Sequence, residues 1–137
     1  MSVTINEVSI QSDRGTIEGL ANTHGRILGC TQEELASAIQ IVQTVLAHPM
    51  LDRARAAAER NQCRREVPVT LTDSSGVLIE GVVDLVFADG DRHVLVDFKT
   101  DEQIRHGAVR YERQIGVYAA AVQKCTGKPV SAVLMRI

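Results

Sequence analysis

The spacing of apolar positions changes character along the chain. Residues 3–10, VTINEVSI, alternate loosely as a short strand would, and SDRG at 12–15 is a turn signal. Residues 16–30 carry three glycines and read as a broken helix. Helical spacing then sets in, with Leu35, Ile39, Val42 and Leu46 four, three and four residues apart. Thr31 and Glu34 just ahead of that stripe form a capping box, in which each side chain can bond the other's backbone amide. His48-Pro49 predicts the end of this helix, because the residue before proline is pushed out of the α region. Pro49 suits the first turn of a following Ala-rich helix through residues 50–62.

The period then falls to two. EVPVTLT at 66–72 alternates, DSSG at 73–76 turns, and VLIEGVVDLVF at 77–87 reads as a strand buried on both faces. ADGDR at 88–92 predicts a tight hairpin into a third strand, HVLVDFK at 93–99. Residues 100–107 read as a polar loop. A helix follows over 108–127, with Val109, Ile115, Ala119 and Val122 near one face and Gly127 just past its end. VSAVLMRI at 130–137 closes with a strand. The expected product is an α/β fold: an antiparallel three-stranded meander, a helical crossover to a parallel fourth strand, and helices on the faces of a mixed sheet.

Composition narrows this picture. With 137 residues the chain suits one domain, able to bury about two-thirds of its unfolded surface. Aromatics are only 3% with no Trp, which supplies little for base-stacking platforms. The formal net charge of −2 means that any polyanion site is a local patch. Cys30, Cys63 and Cys125 are scattered, odd in number and lack zinc-ligand spacing. Together with the absence of a signal peptide or an apolar run of membrane length, they predict a cytoplasmic protein with reduced thiols and no membrane partner.

Charged residues interrupt the most apolar segments. Asp84 lies inside GVVDLVF, and Asp97 and Lys99 lie inside VLVDFKT. Buried charges need a partner or a bound cation. Residues 97 and 99 leave the same strand face, and the hairpin carries Asp84 back toward Asp97. Two carboxylates and an ammonium would share one site. Such a set suits Mg²⁺ or Mn²⁺, which acidifies water and offsets phosphoryl charge. It is equally an Asp–Lys salt bridge at a strand end.

The motifs Gly81-Val82-Val83-Asp84-Leu85, Val96-Asp97-Phe98-Lys99-Thr100 and Tyr111-x-x-Gln114-x-x-x-Tyr118 resemble the RecB/AddA-type nuclease domain of the PD-(D/E)XK nuclease superfamily. The resemblance runs from about Glu66 to Ile137 and implies a restriction-endonuclease-like αβββαβ core. It further implies that Asp84, Asp97 and the Phe98 carbonyl are metal ligands and that Lys99 is the catalytic lysine. Gln114 and Tyr118 would face the site and help hold the scissile phosphate or the metal-bound water. Tyr111 is either a site residue or a packing aromatic. Thr23-His24-Gly25-Arg26-Ile27-Leu28 resembles the family's segment bearing an added histidine ligand, which favours His24 over the helix-ending His48. Glu66 resembles the family's acidic position before the first strand, where it would support the metal or pair with an arginine. His93 and His106 have no motif support and are expected to be exposed.

This divides the chain into a partly ordered N-terminal segment over 1–30, a candidate source of the histidine, and a nuclease core over 31–137. The implied function is metal-dependent DNA hydrolysis by a helicase–nuclease of double-strand break repair and recombination. Its partners would be DNA and a helicase domain or partner subunit. No phosphate-binding motor loop is present. Arg53, Arg55, Arg60, Arg64, Arg65, Arg105, Arg110 and Arg113 are either DNA contacts or solvated helix faces, with Arg55 placed to pair with Glu59. Two further readings stand beside the nuclease: a catalytically silent DNA-binding or docking module with the same fold, and a small α/β domain with a salt-bridged sheet edge.

Overall fold

The computed structural model describes residues 13–137, so the strand expected over 3–10 lies outside the described residues. The described residues form two compact units, divided between Arg55 and Ala56.

In the first unit, α1 (Arg14–Leu28) is one continuous helix where a turn and a broken helix were expected. Asp13 is its N-cap, accepting from the Thr16 amide at 2.8 Å, and Gly29 closes it in the left-handed conformation. Gly25 survives mid-helix because α2 (Gln32–Leu46) comes so close there: a Cβ would lie 2.3 Å from the end of the Leu35 side chain. Ile17, Val42 and Leu46 form the core between these helices, with Leu20 and Ile39 at its edge. The Thr31–Glu34 capping box forms as the sequence predicts, with bonds of 3.2 and 2.8 Å. Pro49 opens α3 (Pro49–Glu59), and the unit boundary falls within that helix. Arg55 pairs with Asp52 at 2.6 Å, one turn back, and also bonds the Leu46 carbonyl, rather than making the expected pair with Glu59.

The second unit is built on a four-stranded sheet in the order β1 (Cys63–Thr72), β2 (Leu78–Asp89), β3 (Arg92–Lys99), β4 (Val130–Arg136). β1, β2 and β3 form the antiparallel meander, and β4 lies parallel to β3 after the crossover helix α4 (Asp101–Thr126). This is the mixed α/β architecture that the alternation of periods implies. The Asp89-Gly90 hairpin turns with Gly90 at φ 65°. Val83, Val86 and Leu95 of the sheet pack against Ile115, Tyr118 and Val122 of α4. Leu85, Phe87, Val94 and Val96 point to the other face and are also buried.

Three expectations fail here for identifiable reasons. The outer half of β2 is not buried on both faces: Leu78 and Val82 are more than half exposed. Its pairing with β3 begins only at Leu85, so residues 78–84 have β1 alone as a neighbour. Residues 101–107 are helix rather than loop, because Thr100 and Gln103 form a second capping box that starts α4 early. Gly107 kinks the helix (φ −152°, ψ 18°), and Val109 just beyond the kink is 64% exposed instead of joining the buried stripe. Among the described residues, no helix is long and apolar enough to cross a membrane.

Candidate active site

The β2–β3 ladder ends at Leu85↔Val96, and the next residues along the two strands are Asp84 and Asp97. Here the strands stop exchanging backbone bonds. The Phe98 amide donates instead to Asp84 Oδ2 at 2.8 Å. Val86 packs in the core with α4, and Asp84, two residues before it on the same strand, leaves the same face of the sheet. On the far side β3 stays paired with β4 through Asp97↔Leu134 and Lys99↔Arg136. Asp84 thus sits where one strand pair opens while the other remains rigid.

Asp97 is buried, at 6% exposure. Lys99, on the same strand face, donates to Asp97 Oδ2 at 2.6 Å, and its Nζ lies 3.4 Å from the Phe98 carbonyl oxygen. Desolvation pushes the Asp84 carboxyl up to about 6, and the Asp97 carboxylate pushes the same way. The Phe98 amide and the Lys99 ammonium pull against this without cancelling it. The two carboxylates and the ammonium therefore meet in one partly dehydrated site, as the strand spacing predicts.

α4 supplies the remaining wall. The Lys99 Nζ lies 4.9 Å from the Tyr111 ring centroid, with the Arg110 guanidinium carbon also at 4.9 Å. Gly107 makes room for that ring, since a Cβ there would lie 2.9 Å from Tyr111 Cε2. Lys99 is thus held by a carboxylate, a carbonyl and an aromatic face. Replacing Tyr111 with Leu would remove the ring that steadies the Lys99 ammonium, and Tyr111→Phe would keep it.

Gln114 and Tyr118 are one helical turn apart, and Gln114 Nε2 donates to the Tyr118 hydroxyl at 2.8 Å. Tyr118 itself is buried at 5% exposure. Its hydroxyl lies over Gly81, where a Cβ would stand 1.9 Å away. The glycine three residues before Asp84 is therefore what lets Tyr118 cross β2 and lock α4 against the strand that carries Asp84. Gly81→Ala is expected to destabilise the protein by about 1–3 kcal/mol through this overlap. Thermal or urea unfolding reads it, and Tyr118→Phe should relieve part of the loss in the double variant.

Glu66 lies within β1 rather than before it. Its neighbours pair as Arg65↔Leu85 and Val67↔Val83, which places it level with Asp84. It adopts φ 49°, a left-handed conformation that β-strand residues avoid. This puts a local break in β1 at the level of Asp84. His24 lies on α1 of the first unit, half-buried beside Gly25. Among the described residues, no group of three or more His, Cys, Asp or Glu side chains is arranged to hold a metal ion. His106 is exposed as expected, but His93 is half-buried, and its Nδ1 is buried without a hydrogen-bond partner. The missed signal for His93 is its place at the start of an otherwise apolar strand.

Comparison with known proteins places the chain in a family. The family model described as the PD-(D/E)XK nuclease superfamily matches residues 20–137. The chain is similar to an ATP-dependent helicase/nuclease subunit of Desulforamulus reducens, 35% identical over 99 residues that make up 68% of this chain and 8% of that protein. It is 29% identical to the corresponding helicase/nuclease protein of Geobacillus kaustophilus over 134 residues, 77% of this chain and 11% of that protein. With that of Clostridioides difficile it shares 38% identity over 64 residues, 44% of this chain and 5% of that protein. The matched region thus spans only 5% to 11% of the length of these three relatives. A family match over most of the chain, on top of the Asp84, Asp97 and Lys99 geometry, makes the assignment: the chain belongs to the PD-(D/E)XK nuclease superfamily, and its resemblance is to the RecB/AddA-type nuclease domain.

Proposed function

We propose that this chain is a metal-dependent DNA nuclease domain of the helicase–nuclease type, acting in double-strand break repair and recombination. The observation that carries the proposal is the convergence of Asp84, Asp97 and Lys99 where the β2–β3 ladder opens. A salt bridge alone needs one carboxylate; the second, raised to about 6 by dehydration and by its neighbour, calls for a cation. The donor set fits a hard cation that keeps several of its waters: two carboxylates from Asp84 and Asp97 and the backbone carbonyl of Phe98. Mg²⁺ or Mn²⁺ bound there would supply Lewis-acid stabilisation of the charge developing on the phosphate and would make water more acidic.

The chain's own residues would do the rest. Lys99, steadied by Asp97 and Tyr111, aims its ammonium at the site, where it can orient the attacking water and stabilise a phosphate oxygen. Gln114 is exposed on α4 and bonds the buried Tyr118 hydroxyl, and by the motif resemblance these two residues would help hold the scissile phosphate or the metal-bound water. Arg105, Arg110 and Arg113 on the same helix would track the DNA backbone, with affinity falling as salt rises. The segment around His24 supports that residue as a further ligand. A helicase domain or partner subunit would supply movement along DNA. Retention of the whole Asp…Asp-x-Lys set argues against a silent binding module, which has no need of it.

The test is incubation of the chain with linear single- and double-stranded DNA and Mg²⁺ or Mn²⁺. Metal-dependent cleavage that disappears in Lys99→Ala supports the proposal. Cleavage that persists in Lys99→Ala assigns it to a contaminant or another site and removes the proposal.

A further inference from the structure

At the other end of β3 from the aspartates, a cleft of about 400 Å³ opens between β1 and the C-terminal half of α4. That volume is in the range of ligand-binding pockets. Its floor is apolar, formed by Val67, Val69, Val86 and Val122, the last two of which belong to the core. Its polar lining is one-sided in charge. Arg64 and Lys128 contribute cations, and among the described residues no carboxylate lines the cleft, in a chain whose net charge is −2. His93 lines it too, and its buried Nδ1 has no hydrogen-bond partner. A buried polar atom left unmet is uncommon, so a bound group that the His93 ring turned to meet would gain a bond the protein lacks.

We propose that this cleft docks an acidic protein segment carrying an apolar anchor residue. The anchor would fill the valine-lined floor, flanking carboxylates would meet Arg64 and Lys128, and a backbone N–H would meet Nδ1 of a His93 ring turned toward the cleft. The charge complementarity selects an anionic occupant, and the apolar floor selects a side chain over a phosphate. The described lining contains no Phe, Tyr or Trp on which a base could stack, which disfavours single-stranded nucleic acid. The inference is independent of the nuclease reading, because neither Asp84, Asp97 nor Lys99 lines the cleft.

Cys125, an exposed free thiol in the lining, provides the readout. The probe is a fluorescein-labelled peptide with a Leu-Phe pair flanked by Asp and Glu. It is titrated into the full chain by fluorescence anisotropy, and the modification rate of Cys125 by a maleimide is followed in parallel, with Cys125→Ser as the blank. Expected are saturable binding, slowing of Cys125 modification, and weakening by about tenfold or more in Arg64→Glu/Lys128→Glu, both at exposed positions, with cooperative melting of the variant as the check on its fold. The same peptide with Asn and Gln in place of its acids should bind at least about fivefold more weakly. Failure of the acidic peptide to bind, equal binding of the amide peptide, or protection of Cys125 by duplex DNA that displaces the peptide would each overturn the proposal. All three results are read without any cleavage assay.

Discussion

Asp97→Asn is expected to lower metal-dependent DNA cleavage by about a hundred- to a thousandfold or more, the scale seen when one group stabilising transition-state charge is removed. The reason lies in what Asp97 does at once. It is the buried member of the carboxylate pair, and it anchors Lys99 at 2.6 Å. The amide keeps the size and one oxygen, so the fold should survive while the charge that would hold the cation and fix the ammonium is lost. Melting curves of the variant should therefore remain cooperative. A variant that melts cooperatively and cleaves within about tenfold of the wild type would show that Asp97 is a strand-end salt-bridge partner and nothing more.

The second large effect concerns stability rather than rate. Asp84 binds its proton more tightly in the folded protein, near 6, than in the unfolded chain, at 3.8. Its favourable contribution is complete below about 3.8 and is lost as pH rises through about 6. Without metal, the folded protein at pH 8 thus holds the Asp84 charge in a partly dehydrated place beside Asp97. Asp84→Asn keeps an acceptor for the Phe98 amide and removes that desolvated charge. It is expected to stabilise the metal-free protein at pH 8 by about 1 kcal/mol, after allowance for the partial exposure of Asp84, and to do little at pH 4. Millimolar Mn²⁺ should then reverse the order, raising the melting temperature of the wild type and leaving the variant nearly unmoved. Equal melting temperatures at pH 8 with and without metal in both proteins would contradict this account of the site.

Much of this was legible in local sequence. The Thr31–Glu34 capping box, the Asp89-Gly90 hairpin and the Gly127 helix stop depend on neighbours within a few residues, and each forms as its residues dictate. The meeting of Asp84 and Asp97 follows from a short hairpin whose register its turn fixes, and the shared face of Asp97 and Lys99 follows from the strand period. What was not legible depends on partners far away in sequence. The glycines of α1 suggested a broken helix, yet Gly25 is explained by the close approach of Leu35. Gly81 gives no local sign that a tyrosine hydroxyl from residue 118 will lie across it. The exposure of Leu78 and Val82 reflects where β3 begins to pair, which the hydrophobicity of β2 does not encode. The early start of α4 is a different case: Thr100 and Gln103 carried the signal, and Gly107 masked it by lowering helix propensity at the point of the kink. The left-handed Glu66 inside a strand had no signal at all in its residue type.

The central claim is that the opened end of the β2–β3 ladder holds a divalent cation. A crystal of the wild-type chain soaked in Mn²⁺ and measured for anomalous scattering tests it directly. A strong peak is expected within coordination distance, about 2.0–2.3 Å, of a carboxylate oxygen of Asp84, a carboxylate oxygen of Asp97 and the Phe98 carbonyl, with Lys99 drawn away from Asp97. A map in which Mn²⁺ binds elsewhere, while Lys99 remains on Asp97 and Asp84 on the Phe98 amide, would contradict it.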